Sequence, residues 1–349
     1  MFDSNLSDED REKLARLAVQ EAGMHPTLFL PSDKPGLQSD DSMAEAGRKV
    51  LAYYFARMQE QEAPVREGQQ NKDAIHDMRV ATRRLRSALD IFGGFYRTSA
   101  LRPFAKELRK VARSLGAVRD LEVVRAKAED HAATSSSVEA DLNDQGFQAL
   151  LKNWQEQFDA ATTDLIETLD SHQYAEFLAD FAQFVTNPGK AALEMADKAQ
   201  PHLVCHVAPL LIYERYEAVR AYETVLDNAP LDTLHALRIA AKGLRYTLEA
   251  FTEILQPEAK SVISAAKAIQ DHLGELQDAR VAVDLMHDFI AASRETSKTH
   301  QHQPIAGVLS YMAIRESDKQ ELLNTFAQGW EAFTHPDIRR ALALTVSVL

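Results

Sequence analysis

Two short stretches hold the residues best suited to chemistry. HDMRVATRRLRSALDIF (76–92) carries His76, Arg79, Arg83, Arg84 and Arg86, and HALRIAAKGLRYTLEAF (235–251) carries His235, Arg238, Lys242 and Arg245 at matching offsets, joined by Tyr246. At about 100° per residue, His76, Arg79, Arg83 and Arg86 fall within an arc of roughly 80°, with Ile75, Met78, Leu85, Leu89 and Phe92 on the other side. The second stretch does the same, opposing Leu234, Leu237, Leu244, Leu248 and Phe251. Each helix thus has one wall for a core and one for an anion. Guanidinium forks match phosphate oxygens, each charge-assisted bond contributing about 1.5–3 kcal/mol. A stripe from His76 to Arg86 runs about 15 Å at 1.5 Å per residue, a length suited to an extended polyanion. The cations are expected to stand without carboxylate partners along their own helices, so that a ligand relieves their repulsion.

A further helix over about 99–129 adds Arg102, Lys106, Arg109 and Arg113 at spacings of four, three and four, again on one face. Its copy keeps Lys260 and Lys267 but puts Ser264 and Asp271 in the other two places, which predicts a site stronger in the first half. Arg48, Lys49 and Arg215, on the helices preceding each motif, are weaker candidates.

What positions these residues is a repeat. A shift of 159 lays 76–92 on 235–251 with seven identities in seventeen, and a shift of 158 lays LGAVRD (115–120) on LGELQD (273–278). Gly and Pro are scarce (13 and 12), and no run of alternating Val, Ile and Thr suggests a sheet, so the chain is expected to be all-α. Breaks at Gly93-Gly94, Asn187-Pro188-Gly189, DNAP (227–230) and Gln256-Pro257 punctuate the helices. The expected division is an acidic extension and linker over 1–42, a first helical bundle over 43–190, a second over 191–335 and a tail over 336–349.

The chain has 349 residues and a net charge of −13, which argues against a general nucleic-acid binder. Charge is nevertheless local. Between Lys72 and Lys127 fourteen Lys and Arg stand against six Asp and Glu, so this segment is +8 and the remainder −21. The lone Cys205 allows no intrachain disulfide. An acidic amino terminus and the lack of a long apolar run predict neither export nor a membrane partner, leaving the cytoplasm as the expected location.

The paired motifs, each followed by LGxxxD, resemble those of the CHAD family (conserved histidine α-helical domain) over about residues 43–330. The resemblance implies two four-helix bundles with pseudo-twofold symmetry, basic residues lining a central groove, and non-catalytic binding of inorganic polyphosphate with no cofactor. Carried over by position, the ligand-facing residues are His76, Arg79, Arg83, Arg84, Arg86, His235, Arg238, Lys242, Arg245 and Tyr246, with Arg109 and Lys267 as the next contacts. Gly243 stands where Arg84 does and removes one charge. The family also implies association with polyphosphate granules and with polyphosphate-metabolising enzymes or granule proteins. The ExExK signature of the triphosphate tunnel enzymes that often accompany such regions is absent from the sequence.

Three other readings compete. His76-Asp77 and His287-Asp288 would suit a metal-dependent HD-type phosphohydrolase, but Ala236 replaces Asp77 in the repeat. His202, Cys205 and His206 share a helical face and could hold a metal, although a buried cysteine beside helix-start histidines is the simpler account; His300 and His302 read as surface, and no metal site is expected. A nucleic acid would call for aromatic platforms among the cations, and Tyr246 alone stands there. Because imidazole titrates near 6.5, polyphosphate is expected to bind more tightly at pH 6 than at pH 8 through His76 and His235.

Overall fold

The computed structural model describes residues 33–67, 72–134, 145–193, 200–296 and 305–349. Among them the chain is all-α, the only β pairing being two isolated bridges. The first half consists of α1 (Met43–Glu60), a short α2 (Glu62–Arg66), α3 (Lys72–Phe92), α4 (Thr98–Thr134), α5 (Gln145–Asp170) and α6 (His172–Thr186). The second half repeats that order with α7 (Val204–Arg220), a 3-10 turn (Ala221–Val225), α8 (Leu231–Ala250), α9 (Ala259–Thr296), α10 (Ala306–Thr334) and α11 (Pro336–Thr345).

Local chemistry sets these boundaries. Ser42 caps α1 by accepting from the Glu45 N–H, Ser171 caps α6 by accepting from Tyr174 N–H, and Pro336 opens α11 where its missing N–H costs nothing. Gly189 ends the segment after α6 with φ 74°, the left-handed conformation that a glycine adopts without strain. Residues 336–345, expected as part of a tail, form α11 because Leu342 is buried and Thr345 C=O accepts from Gln256 N–H.

One apolar core runs through both halves, from Val50, Phe55 and Phe181 to Leu237, Phe251 and Leu342. α3 and α8, the two basic helices, pack on one another, and their last aromatic residues, Phe92 and Phe251, meet edge to face at 5.5 Å. A second, smaller core lies at the far ends of the long helices, where Val124, Phe147 and Trp154 meet Met286, Val308 and Tyr311. The two halves are therefore joined at both ends of the molecule.

Residues 1–32 of the expected linker lie outside the described residues, as do His300 and His302. Residues 33–42 pack on the body. Leu37 is buried, the N–H groups of Gly36 and Leu37 donate to Glu253, and Val204 N–H donates to Asp41 C=O. This segment strings the start of α1 to the start of α7.

Candidate functional site: facing basic helices

α3 and α8 turn their apolar stripes to the shared core and bring their basic stripes together. Lys242 marks the meeting point. Burial pushes its ammonium down from 10.5 to about 8, and Arg238 of its own helix and Arg83, Arg86 and Arg79 of the other all act in the same direction. Arg83 is likewise depressed to about 10 by burial, opposed by Tyr246 and reinforced by Arg79, Arg245 and Arg84. Among the described residues none of Arg79, Arg83, Arg86, Arg238 and Lys242 forms an ion pair. Five cations from two helices thus converge with their charge open.

Carboxylates border the cluster. Asp90, one turn beyond Arg86, is partly open to solvent, yet the surrounding protein raises its carboxyl above the usual range against the pull of Arg86, Arg215, Arg109 and Lys242. Asp120 ends the first LGxxxD element. Desolvation raises its carboxyl, and Asp278, its repeat equivalent, adds to the rise while Arg79 and Arg238 oppose it. Asp278 lies 3.8 Å from Lys127. The Gly274 of the second LGxxxD leaves room for Arg238, whose guanidinium lies 3.6 Å from where a Cβ would sit. The two LGxxxD elements thus face the two stripes at their Arg79 and Arg238 level, a relationship that each element alone does not reveal.

The structure divides the expected site residues. His76, Arg86 and His235 are exposed, and Arg79, Arg83, Arg238 and Lys242 are half-buried. Arg102, Lys106, Arg109 and Arg113 are exposed on α4 and form no ion pairs among the described residues; Lys260 is exposed on α9. Lys267 is exposed but lies 3.3 Å from Asp271, which reduces its open charge.

Arg84, Arg245 and Tyr246, expected to face a ligand, are placed differently. Arg245 and Tyr246 are 6% and 2% exposed. Arg84 forms an ion pair with Glu249, and Arg245 reaches the same carboxylate at 3.6 Å. The Tyr246 ring lies among three guanidiniums, those of Arg84 at 4.5 Å, Arg245 at 4.9 Å and Arg83 at 5.4 Å. The physical reason is burial: charges that leave water require partners, and one carboxylate plus the face of one aromatic ring provide them. The expectation of no carboxylate partner four residues along either stripe is corrected at two positions: Glu249 follows Arg245 and pairs with it, and Asp90 follows Arg86 and feels its charge without forming an ion pair.

Arg48 and Lys49 are also committed elsewhere. Arg48 bonds to Glu45 and to Val185 C=O, while Lys49 bonds to Asp41 and Gly36 C=O. Arg215, by contrast, adds its charge to that of Arg86 in opposing the rise of the Asp90 carboxyl. Its signal in sequence was only a position on the helix before the second motif.

Among the described residues no three His, Cys, Asp or Glu side chains are arranged to hold a metal ion. His202 Nδ1 lies 2.8 Å from Gln200 C=O, and His287 and Asp288 are exposed on the distal part of α9. No helix among the described residues is long and apolar enough to cross a membrane.

Comparison with known proteins agrees with this architecture. An uncharacterized protein of Mycobacterium tuberculosis, matched in strains CDC 1551 / Oshkosh and ATCC 25618 / H37Rv, is 29% identical over 232 residues, 63% of this chain. The chain spans only 41% of the length of these curated relatives. The crystal structure of the CHAD domain from the plant Ricinus communis superposes with a TM-score of 0.60 at 20% identity, covering 90% of this chain and 94% of that one. PptA from Streptomyces chartreusis does so with a TM-score of 0.58 at 16% identity, covering 83% and 100%. At such identities the likeness establishes the fold alone. The model of the CHAD domain, however, matches residues 49–287, more than half the sequence and both basic helices, and the chain belongs to that family.

Proposed function

We propose that this protein binds inorganic polyphosphate, without catalysing its turnover, along the basic stripes of α3 and α8. The observation that carries the reading is Lys242, surrounded by Arg79, Arg83, Arg86 and Arg238 with no ion pair for any of the five among the described residues. A folded protein holds such a cluster at a cost in repulsion and desolvation, which an anion reverses on binding. The exposed row Arg102, Lys106, Arg109 and Arg113 extends the positive surface along α4, as a linear polyanion would need. The acidic remainder of the chain disfavours a wide duplex while a thin chain can lie along the stripes. In a cell this reading places the protein in the cytoplasm, on polyphosphate granules, beside the enzymes that make or degrade the polymer.

The test is calorimetric titration with medium-chain polyphosphate, alongside DNA of equal charge and an Arg79→Ala, Arg83→Ala, Arg86→Ala variant. Tight polyphosphate binding that DNA does not match and the variant loses supports the reading. Equal binding to DNA would reduce the stripes to a generic anion surface, and phosphate release from the polymer would replace the non-catalytic reading with an enzymatic one.

A further inference from the structure

The surroundings of Tyr246 are enclosed and carry more positive charge than the protein there neutralises. Three guanidiniums approach its ring, those of Arg84 at 4.5 Å, Arg245 at 4.9 Å and Arg83 at 5.4 Å, and Arg84 also lies 6.0 Å from the ring of Tyr54 on α1. Among the described residues Glu249 is the one carboxylate paired with any of them: it pairs with Arg84 and lies 3.6 Å from Arg245. Glu253, the next carboxylate along the chain, accepts the N–H groups of Gly36 and Leu37. Three positive charges thus meet one negative charge. Donors are in excess as well. Arg83 Nε, Arg245 Nε and the Tyr246 hydroxyl are closed from solvent and have no hydrogen-bond partner among the described residues. Arg245 and Tyr246 as whole residues are only 6% and 2% exposed. From this geometry we infer that the join between α3 and α8 is a site for a small monovalent anion, chloride in the cell, held by the Tyr246 hydroxyl and the Nε–H groups of Arg83 and Arg245.

Buried donors require acceptors, because a donor that has left water and bonds to nothing keeps its full desolvation cost. A water would satisfy the hydrogen bonds but would leave the excess charge in a medium where charge is costly. A monatomic anion meets both needs, since it accepts from several N–H and O–H groups at once and cancels one charge. A polyphosphate chain does not, because atoms closed from solvent cannot admit a unit that continues on both sides into further units. The inference is therefore independent of the polyphosphate reading, whose remaining cations on the two stripes, Arg79, Arg86, Arg238 and Lys242, are half-buried or exposed. Because its donors come from both basic helices, the bound ion ties one half of the molecule to the other, in addition to the contact of Phe92 with Phe251.

The experiment is thermal unfolding of the full chain at constant pH and ionic strength, with sodium chloride or sodium bromide replacing sodium gluconate, whose anion is too large to enter. Chloride is expected to raise the Tm of the wild type by about 2–4 °C and to saturate. Tyr246→Phe keeps the ring beside the guanidiniums and removes the hydroxyl donor, and it is expected to lose most of that gain. Arg86→Ala lowers the charge of the open stripe and leaves the enclosed donors intact, so the gain is expected to persist. Glu249→Gln leaves one more charge uncancelled and is expected to enlarge it. Crystals soaked in bromide are expected to show an anomalous-scattering peak within hydrogen-bond distance of Tyr246 Oη and Arg245 Nε. A gain that survives in Tyr246→Phe and disappears in Arg86→Ala would put the anion on the open stripe and overturn the site. The absence of a saturable difference between chloride and gluconate, or of a bromide peak beside Tyr246, would show that water satisfies these donors and would overturn the anion.

Discussion

Arg84 of α3 and Glu249 of α8 form an ion pair across the join between the two halves, with side chains 17% and 20% exposed. Arg245, one turn earlier on the helix of Glu249, lies 3.6 Å from the same carboxylate. Three guanidiniums around the Tyr246 ring with one carboxylate among them form a tie between the basic helices, and Arg83 belongs both to it and to the open cluster at Lys242. Glu249→Gln keeps the shape of the side chain and leaves Arg84 and Arg245 without their counter-charge. It is expected to lower unfolding stability by about 1–3 kcal/mol, measured by denaturant titration. Polyphosphate affinity of the folded variant is expected to be unchanged or higher, because two cations are released. A variant as stable as wild type would show that the pair contributes little.

Gly47 of α1 faces the join between α1 and α3. A Cβ there would lie 2.7 Å from Phe92 Cβ and 2.8 Å from the Tyr96 hydroxyl, which donates to Ala44 C=O. In an exposed helix interior Gly→Ala stabilises by about 1 kcal/mol. Here the sign is expected to reverse, with Gly47→Ala costing about 1–3 kcal/mol through overpacking. Thermal unfolding is the measurement, and an unchanged or raised Tm would mean that the two helices can separate slightly without loss.

The repeat made the architecture legible because equivalent positions carry equivalent duties: Leu85 and Leu244 are buried, and the charges of Arg79 and Arg238 both act on Asp120. What the repeat concealed is where the equivalence ends. Arg86 is exposed while its equivalent Arg245 is buried, because Tyr246 replaces Ser87 and Arg84, which has no counterpart at Gly243, inserts a third cation beside that ring. Helical periodicity gives the direction of a side chain but not what the other half places opposite it. For the same reason the contribution of Arg215 and the border formed by Asp90, Asp120 and Asp278 were not legible: each is set by contacts between helices distant in sequence. Residues 336–345, expected within a tail, form a short helix opened by Pro336, and its burial depends on α9, which is distant in sequence.

Lys242 gives the complex a pH dependence at the alkaline side. Its ammonium falls from 10.5 to about 8 in the folded protein. Between these values the unfolded chain retains the proton that the native state has lost, so this group makes stability rise with pH from about 8 to 10.5, while below 8 both states are charged and its full penalty is present. Lys242→Met is therefore expected to stabilise the free protein at pH 7 by about 1 kcal/mol or more while weakening polyphosphate binding. A polyanion favours the charged amine, so affinity is expected to fall as pH rises through about 8, with proton uptake on binding visible as a buffer-dependent enthalpy. Lys242→Arg is expected to flatten that decline. The dependence between pH 6 and 8 expected from His76 and His235 is separable, since it is lost in the His76→Ala, His235→Ala variant and retained in Lys242→Arg. If Lys242→Arg keeps the decline above pH 8, another group carries it.

The two halves should not contribute equally to binding. On α4 the cations Arg102, Lys106, Arg109 and Arg113 stand exposed without ion pairs among the described residues, whereas on α9 Lys267 lies 3.3 Å from Asp271 and Ser264 replaces a cation. Removing a cation that neutralises a phosphate lowers the number of counterions released on binding, and so flattens the dependence of log affinity on log salt. Arg102→Ala, Lys106→Ala, Arg113→Ala is therefore expected to weaken binding and to lower the salt slope by about three, whereas Lys260→Ala, Lys267→Ala is expected to lower it by about one. Asp271→Asn frees Lys267 and is expected to raise affinity at low salt. Because these positions are exposed on the helix surface, the unfolding transitions of all three variants should match wild type, so that a change in slope reports on the anion alone. Equal losses from the two faces would mean that the polymer engages both halves symmetrically.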